Sequence, residues 1–209
     1  MRIHPIVEGD GEVQAVPVLL RRLRDESKAY EVEVGRPILR KRSEFIQEGP
    51  LRKAIQLALL RENCDAILIL FDADDSCPAT LAPEIHQWAQ EEAGTVPVVV
   101  VIACREYEAW FLASVESLRG FRGILPNATS HPEPELPRGA KEQLEEKMET
   151  GNSYSETADQ APMTARFDMA AAYARCRSFR RMVRAFGLLA SAAGQPVQDW
   201  PPSAWTVED

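Results

Sequence analysis

Histidine and cysteine are scarce in this sequence, which has three histidines and four cysteines among 209 residues. The cysteines are Cys64, Cys77, Cys104 and Cys176. They form no Cys-x-x-Cys pair, and none has a histidine at zinc-site spacing. The pattern therefore argues against a zinc site and is typical of reduced thiols in a cytoplasmic protein. A catalytic cysteine is disfavoured because no histidine offers an obvious base.

Long hydrophobic runs are also absent. The longest, residues 66–71 and 96–104, are far too short to cross a bilayer, which needs about 20 apolar residues. Residues 1–5 lead straight into an acidic loop, without the apolar segment of a signal peptide. We therefore expect no membrane partner and a cytoplasmic location.

Positive charge is in deficit. The 24 Lys and Arg residues face 32 Asp and Glu residues, which gives a net charge of −8. Affinity for duplex DNA comes mainly from neutralising phosphates, so this balance argues against a general DNA-coating protein. A nucleic-acid enzyme remains open, because it can concentrate positive charge locally and bring metal ions to the phosphate.

The apolar pattern predicts an α/β fold, with a mostly parallel sheet, helices on both faces and a C-terminal helical extension. Residues 1–118 are expected to form the α/β domain, and residues 119–209 the extension packed on it in one globular unit. Strands are predicted at 2–7, 30–34, 66–71 and 96–103. Helices are predicted at 12–25, 50–61, 83–92, 106–113, 140–149, 164–174 and 178–191. Pro17 is expected to delay or kink the first helix.

Acidic residues follow three of the predicted strands. Ligands of open α/β sheets bind beyond the carboxyl ends of the strands, where these side chains would meet. A cluster of carboxylates repels itself unless protons or metal ions neutralise it, and oxygen ligands suit Mg²⁺ or Mn²⁺. The predicted metal ligands are Glu8, Glu12, Asp72, Asp74, Glu106 and Glu108.

Each of these residues also has a structural interpretation. Asp-x-Asp after a strand is often a turn or a helix cap. Glu12, Glu106 and Glu108 could be first-turn acids favoured by a helix dipole. The coincidence of three acidic strand ends on one face favours the metal site.

The motif Val7-Glu8-Gly9-x-x-Glu12, followed by an apolar strand and Asp72-x-Asp74, resembles the Toprim domain. That domain occurs in topoisomerases, bacterial primases and overcoming-lysogenisation-defect nucleases, the last being the most similar. The resemblance covers about the first half of the chain. Residues 105–111 and 178–180 extend it, because they resemble DUF4276, an uncharacterised bacterial family placed among Toprim-like proteins.

The resemblance implies a catalytic set of Glu8, Asp72 and Asp74, with Glu8 as the acid/base or metal-bridging group and the aspartates holding Mg²⁺. It also implies a chemistry that makes or breaks phosphodiester bonds. The chain has no topoisomerase-type tyrosine domain and no attached ATPase, so a partner protein such as an ATPase is one expectation. Glu106 and Glu108 lie outside the shared motif. Lys141 is a candidate cation for the transition state, although a solvated helix residue is the simpler interpretation.

Residues 169–198 contain no Asp or Glu. Within them, four arginines recur at helical spacing on one face, opposite an apolar face. These are Arg177, Arg180, Arg181 and Arg184. Such a stripe is usually a solvated surface, but in an acidic protein it also predicts contact with nucleic-acid phosphates or with an acidic partner.

The sequence thus predicts a Mg²⁺- or Mn²⁺-dependent phosphodiesterase, expected to be a nuclease acting on DNA or RNA in bacterial defence or genome maintenance. Two alternatives stay open. Phe71-Asp72-Ala73-Asp74 also resembles the nucleophile loop of haloacid-dehalogenase-like phosphatases, although that loop usually follows the first strand. A binding module without catalysis is the other.

Overall fold

A five-stranded sheet, parallel in every pairing, forms the centre of the computed structural model, which describes residues 1–192, 194–195 and 197–206. The strands are β1 (Arg2–Val7), β2 (Glu33–Val34), β3 (Ile38–Leu39), β4 (Ala66–Asp72) and β5 (Val98–Ala103). Their order is β2, β1, β4, β5, and β3 pairs with the carboxyl end of β1.

Helices cover both faces of the sheet. They are α1 (Asp10–Ser27), α2 (Arg42–Phe45), α3 (Glu48–Leu59), α4 (Pro78–Ala93), α5 (Ala109–Leu112), α6 (Ala140–Glu145), α7 (Ala161–Thr164), α8 (Met169–Arg175) and α9 (Arg177–Ala192). Short 3₁₀ turns occupy Val115–Leu118 and Ser203–Trp205, and a π-helical turn occupies Glu156–Gln160. This architecture confirms the predicted α/β class with a C-terminal helical region. None of the described helices is both long enough and apolar enough to cross a membrane.

The strands bury side chains on both faces, which explains the unbroken apolar run of β4. Ile67, Ile69 and Phe71 point into a core shared with α3 and α4. Leu68 and Leu70 point into a larger core shared with α1 and α9. The helices therefore cover both faces of the sheet, and the loops that follow the strands form its carboxyl edge.

The two segments that carry the resemblance to DUF4276 touch each other. Trp110 Nε1 donates a hydrogen bond to Ser178 Oγ at 2.8 Å. The Trp110 ring also meets the Phe179 ring edge-on, with the centroids 5.1 Å apart. This contact fixes the start of α9 on the segment that follows β5.

Several helix predictions are wrong in their bounds. The helix predicted at 83–92 starts at Pro78, and the one predicted at 140–149 ends at Glu145. Two more differ in kind. α1 starts at Asp10 and runs unbroken through the buried Pro17. The helix predicted at 164–174 is two helices, α7 and α8. Asp168 separates them, since its Oδ1 accepts from the N–H groups of Ala170 and Ala171 and starts α8.

The C-terminal helical region packs on the sheet layer. The π-helical turn and α7 lie against α1, and α9 lies against β5. Arg22 of α1 reinforces the first contact by donating to the carbonyl oxygens of Thr164 and Phe167, at 2.8 and 2.9 Å. The region thereby brings residues 141–160 to the carboxyl edge of the sheet.

Candidate active site

Glu8 and Asp72 meet at the carboxyl edge of the sheet. β1 and β4 are neighbours with Val7 opposite Leu70, so their ends coincide. Glu8 Oε2 accepts a hydrogen bond from the Asp72 N–H at 3.1 Å. Burial raises the pKa of Glu8, and this hydrogen bond partly opposes the rise.

Glu12 lies in the first turn of α1 with only 5% of its surface exposed. Gly9 leaves room for it, because a Cβ at Gly9 would collide with the Glu12 carboxylate. No hydrogen-bond donor in the described part of the chain reaches the buried Glu12 Oε2. Burial raises the pKa of Glu12, and the nearby charge of Glu156 raises it further.

Asp72, at the end of β4, is 8% exposed and connects β4 to the segment that follows β5. Its Oδ1 accepts from the Tyr107 N–H at 3.0 Å, which links β4 to the segment after β5. Burial raises the pKa of Asp72 well above its usual range, and the charges of Glu108 and Glu12 act in the same direction.

Glu108, just before α5, is completely buried. Its Oε1 accepts from the Tyr154 hydroxyl at 2.7 Å and from Gln160 Nε2 at 3.1 Å. Its Oε2 is buried without a hydrogen-bond partner among the described residues. Burial raises the pKa of Glu108 to about 7, against the opposing charge of Lys141. We call Glu8, Glu12, Asp72 and Glu108 the carboxylate cluster.

Lys141 supplies a positive charge next to the carboxylate cluster. Its Nζ lies 2.5 Å from Glu156 Oε1. Partial burial lowers the pKa of Lys141, but the charges of Glu108, Glu156 and Asp72 outweigh this effect, and the pKa is raised. Lys141, Tyr154 and Glu156 also line an open cavity of about 260 Å³, so solvent reaches the approach to Glu108 from this side.

The other two predicted metal ligands have different partners. Asp74 Oδ2 forms an ion pair with Arg42 Nε at 2.7 Å, and the Asp74 side chain is more than half exposed. Arg42 also donates to the carbonyl oxygens of Asp72 and Ala73, at 2.5 and 2.8 Å, which fixes the turn after β4. Glu106 Oε2 accepts from the Lys141 N–H at 3.0 Å and so holds the start of α6.

Within the described ranges, no three His, Cys, Asp or Glu side chains converge closely enough to hold a metal ion. The donors that are present nevertheless have the chemistry of a hard-cation site. They are all carboxylate oxygens, two of which are buried without a partner. Mg²⁺ commonly uses only one or two protein carboxylates and fills its other positions with water and phosphate oxygens, so pairs within the carboxylate cluster fit such an ion.

The arginines of α9 divide into two pairs. Arg180 donates to the carbonyl oxygens of Tyr173 and Ala174 at the end of α8, and Arg181 donates to Val100 O of β5. Arg177 and Arg184 are exposed, and neither forms an ion pair with any residue that the structure describes. Arg180 and Arg181 therefore stabilise the fold, and only Arg177 and Arg184 remain available to a partner.

Sequence reasoning missed four residues that shape this site. They are Arg42, Tyr154, Glu156 and Gln160. Three of them lie in a polar stretch without helical or strand periodicity, and only the fold brings them to the sheet edge. Gly11 was the one sequence signal for such a contact, because a glycine often stands where another segment packs closely. A Cβ at Gly11 would collide with Gln160 Oε1.

Comparison with known proteins gives one match. The family described as "Domain of unknown function (DUF4276)" matches residues 7–186, which include the whole carboxylate cluster and Lys141. No curated protein and no solved structure matches the chain.

Proposed function

The chain belongs to the DUF4276 family, and we propose that it is a Toprim-like, Mg²⁺- or Mn²⁺-dependent phosphodiesterase, acting as a nuclease on DNA or RNA in the cytoplasm. A role in bacterial defence or genome maintenance, with a partner protein such as an ATPase, is part of the proposal. The observation that carries it is the pair of buried, unpartnered oxygens, Glu12 Oε2 and Glu108 Oε2, beside Asp72 at the carboxyl edge of the sheet.

The electrostatics of the carboxylate cluster favour a cation-dependent site. All four carboxylates have raised pKa values, with burial as the largest cause, so charging them together is costly without a compensating cation. Lys141 supplies only one positive charge, and it shares that charge with Glu156. A pair drawn from Glu8, Glu12, Asp72 and Glu108 would hold the metal, with water and phosphate oxygens in its other positions. Asp74 can join such a pair only by leaving Arg42.

A bound divalent ion would polarise the phosphodiester and lower the pKa of an attacking water. The chain's own residues supply the proton transfers. Among the described residues, none donates to Glu8 Oε1, and the half-buried Glu8 has a raised pKa, so Oε1 is the proposed acceptor of the water proton. When no cation occupies Oε2, Glu108, with a pKa of about 7, can hold a proton there near neutral pH. The cationic Lys141 is placed to balance charge that develops on the phosphate.

Positive side chains around the carboxylate cluster support an anionic substrate. Arg138 Nε and Arg105 Nη1 form ion pairs with Asp75 Oδ1, at 2.8 and 3.3 Å, at the same edge of the sheet. Arg40 and Lys41 follow β3 at that edge, and Lys41 is exposed. A basic rim around an acidic centre can bind phosphates on either side of a scissile bond while the centre binds the cation.

The test is cleavage of single- and double-stranded DNA and RNA by the full chain, with Mg²⁺, Mn²⁺ or EDTA. Asp72→Asn and Glu8→Gln should reduce turnover to background, because each removes a charge from the proposed metal site. Glu26→Gln, which removes an exposed carboxylate of α1, is the matched control and should cleave like wild type. Circular dichroism checks that each variant keeps the fold.

Two outcomes would refute the proposal, namely robust cleavage in EDTA and full activity of an Asp72→Asn, Asp74→Asn double variant. A covalent phosphoenzyme trapped on Asp72 would favour the phosphatase alternative. Because the net charge of −8 weakens substrate affinity, the isolated chain is also tested for Mn²⁺ binding by calorimetry. Absence of metal binding in both wild type and control would favour the non-catalytic module.

A further inference from the structure

The amino edge of the sheet carries a second cavity, of about 520 Å³, on the side opposite the carboxylate cluster. Arg2 and His4 of β1 line it, and Glu8 directly follows β1, six residues after Arg2 and four residues after His4. At about 3.3 Å per residue, the backbone at Glu8 is about 20 Å from Arg2 and about 13 Å from His4. A ligand in this cavity would therefore not touch the carboxylate cluster.

Arginine dominates the charge of this cavity. Four arginines line it, although the whole chain is acidic, and they come from four separate segments. They are Arg2, Arg24, Arg36 and Arg61. Two carboxylates, Glu33 and Glu62, also line it, so the lining has a net positive charge. Concentration of one charge sign in a concave site raises the local concentration of anions.

The four arginines divide by partner. Arg2 pairs with Glu33 at 2.7 Å, and Arg24 pairs with Asp25 at 2.8 Å. Arg36 and Arg61 are exposed, and within the described ranges neither forms an ion pair. The guanidinium groups of Arg2 and Arg24 are thus held by carboxylates, whereas those of Arg36 and Arg61 remain available to a ligand. Guanidinium is the side chain best matched to the paired oxygens of a phosphate.

His4 gives the cavity a fixed wall. His4 is 4% exposed, and its Nε2 lies 3.3 Å from the carbonyl oxygen of Glu62. Gly35 packs against the ring so closely that a Cβ there would lie 2.5 Å from His4 Nδ1. Burial lowers the pKa of His4, with the charges of Arg2 and Arg61 acting in the same direction, so the ring stays neutral at pH 7. Nδ1 has no partner among the described residues.

We propose that this cavity is a binding site for a phosphate monoester, with Arg36 and Arg61 contacting the phosphate. The volume lies within the range of small-molecule sites, about 300–1,000 Å³, and exceeds what inorganic phosphate alone would fill. The ligand is therefore a phosphorylated molecule of nucleotide size. The same chemistry is offered by a free mononucleotide and by the 5′-phosphate end of a nucleic-acid strand.

The test is calorimetry of the full chain in EDTA, so that a metal-dependent site does not contribute. The ligands are a nucleoside, its 5′-monophosphate, and one oligonucleotide with either a 5′-phosphate or a 5′-hydroxyl end. The monophosphate should bind and the nucleoside should not. Arg36→Gln with Arg61→Gln should weaken binding at least about tenfold, because it removes two charge-assisted contacts to the phosphate. Arg21→Gln with Lys53→Gln removes the same charge from exposed positions elsewhere and should change affinity less than about twofold.

Preferential binding of the 5′-phosphorylated oligonucleotide over both the 5′-hydroxyl form and the mononucleotide identifies a strand end as the ligand. The opposite preference identifies a free nucleotide. The proposal is overturned if neither the monophosphate nor the 5′-phosphorylated oligonucleotide binds, if the phosphorylated and unphosphorylated forms bind equally, or if the Arg36, Arg61 variant binds like wild type. These outcomes do not depend on the carboxylate cluster. The nuclease proposal can therefore be refuted while the phosphate site is supported, and the phosphate site can be refuted while the nuclease proposal is supported.

Discussion

Replacing Glu108 by glutamine should change how the stability of the protein depends on pH. Burial raises the pKa of Glu108 from 4.5 to about 7, so the folded protein holds this proton more tightly than the unfolded chain does. The free energy of unfolding should therefore fall, through this group, as pH rises from 4.5 to 7, and then level off. Each pKa unit corresponds to about 1.36 kcal/mol, so the full effect is about 3 kcal/mol.

Glutamine keeps the oxygen that accepts from Tyr154 and Gln160 but cannot ionise. Glu108→Gln should therefore remove this part of the pH dependence. Between pH 5 and pH 8, wild type should lose about 2–3 kcal/mol more unfolding free energy than the variant does, because part of the full effect is already lost below pH 5. The comparison uses differences between two pH values, because the buried amide nitrogen that replaces Oε2 shifts the variant by a constant amount.

The assay is urea unfolding at intervals from pH 4.5 to 8.5 in EDTA, followed by circular dichroism. Glu26→Gln is the control, since Glu26 is exposed, and it should follow the wild-type curve. Parallel curves for wild type and Glu108→Gln would refute the reasoning, as would a wild type that gains stability relative to the variant as pH rises. Either result would mean that Lys141 and the neighbouring hydrogen bonds already stabilise the Glu108 carboxylate fully.

Three further changes test other parts of the structure. Gly11→Ala should lower the free energy of unfolding by about 1–3 kcal/mol, measured with urea, because the added methyl group collides with the π-helical turn. Tyr154→Phe removes a hydrogen bond to the Glu108 carboxylate, so the pKa of Glu108 should rise and the pH-rate profile of the proposed cleavage should shift to higher pH. Charge reversal of Arg177 and Arg184 should weaken binding to all nucleic-acid sequences and reduce the salt slope by about one unit per lost contact, whereas an unchanged slope would leave them as a solvated face or a protein-docking surface.

The sheet was predictable because its strands are marked by their own residues. β4 is buried on both faces, and an apolar run of strand length has few other stable placements. The parallel order then brings Glu8 and Asp72 to one edge, which follows from topology alone. β3 and α2 were missed, since two residues of strand and four of helix are too short to give a periodic signal.

The partners of the carboxylates were not predictable, because they depend on contacts far apart in sequence. Asp74 follows the same strand as Asp72, but only the position of Arg42 decides that it pairs with a guanidinium group. Glu106 and Glu108 stand two residues apart and have opposite surroundings. Glu106 faces a backbone N–H of α6, whereas Glu108 is completely buried.

The sheet places the acids of the carboxylate cluster, and the C-terminal helical region provides their surroundings. The sheet edge brings Glu8 and Asp72 together, but Tyr154 and Gln160 come from beyond residue 140 and donate to the buried Glu108, and Lys141 places a positive charge beside it. Without this region, Glu108 would lose part of its burial, which is the largest cause of its raised pKa. The family match across residues 7–186 includes the sheet and most of the helical region. A fragment that ends after α5 would keep the strand-end acids but lose the side chains that donate to Glu108 and the charge of Lys141.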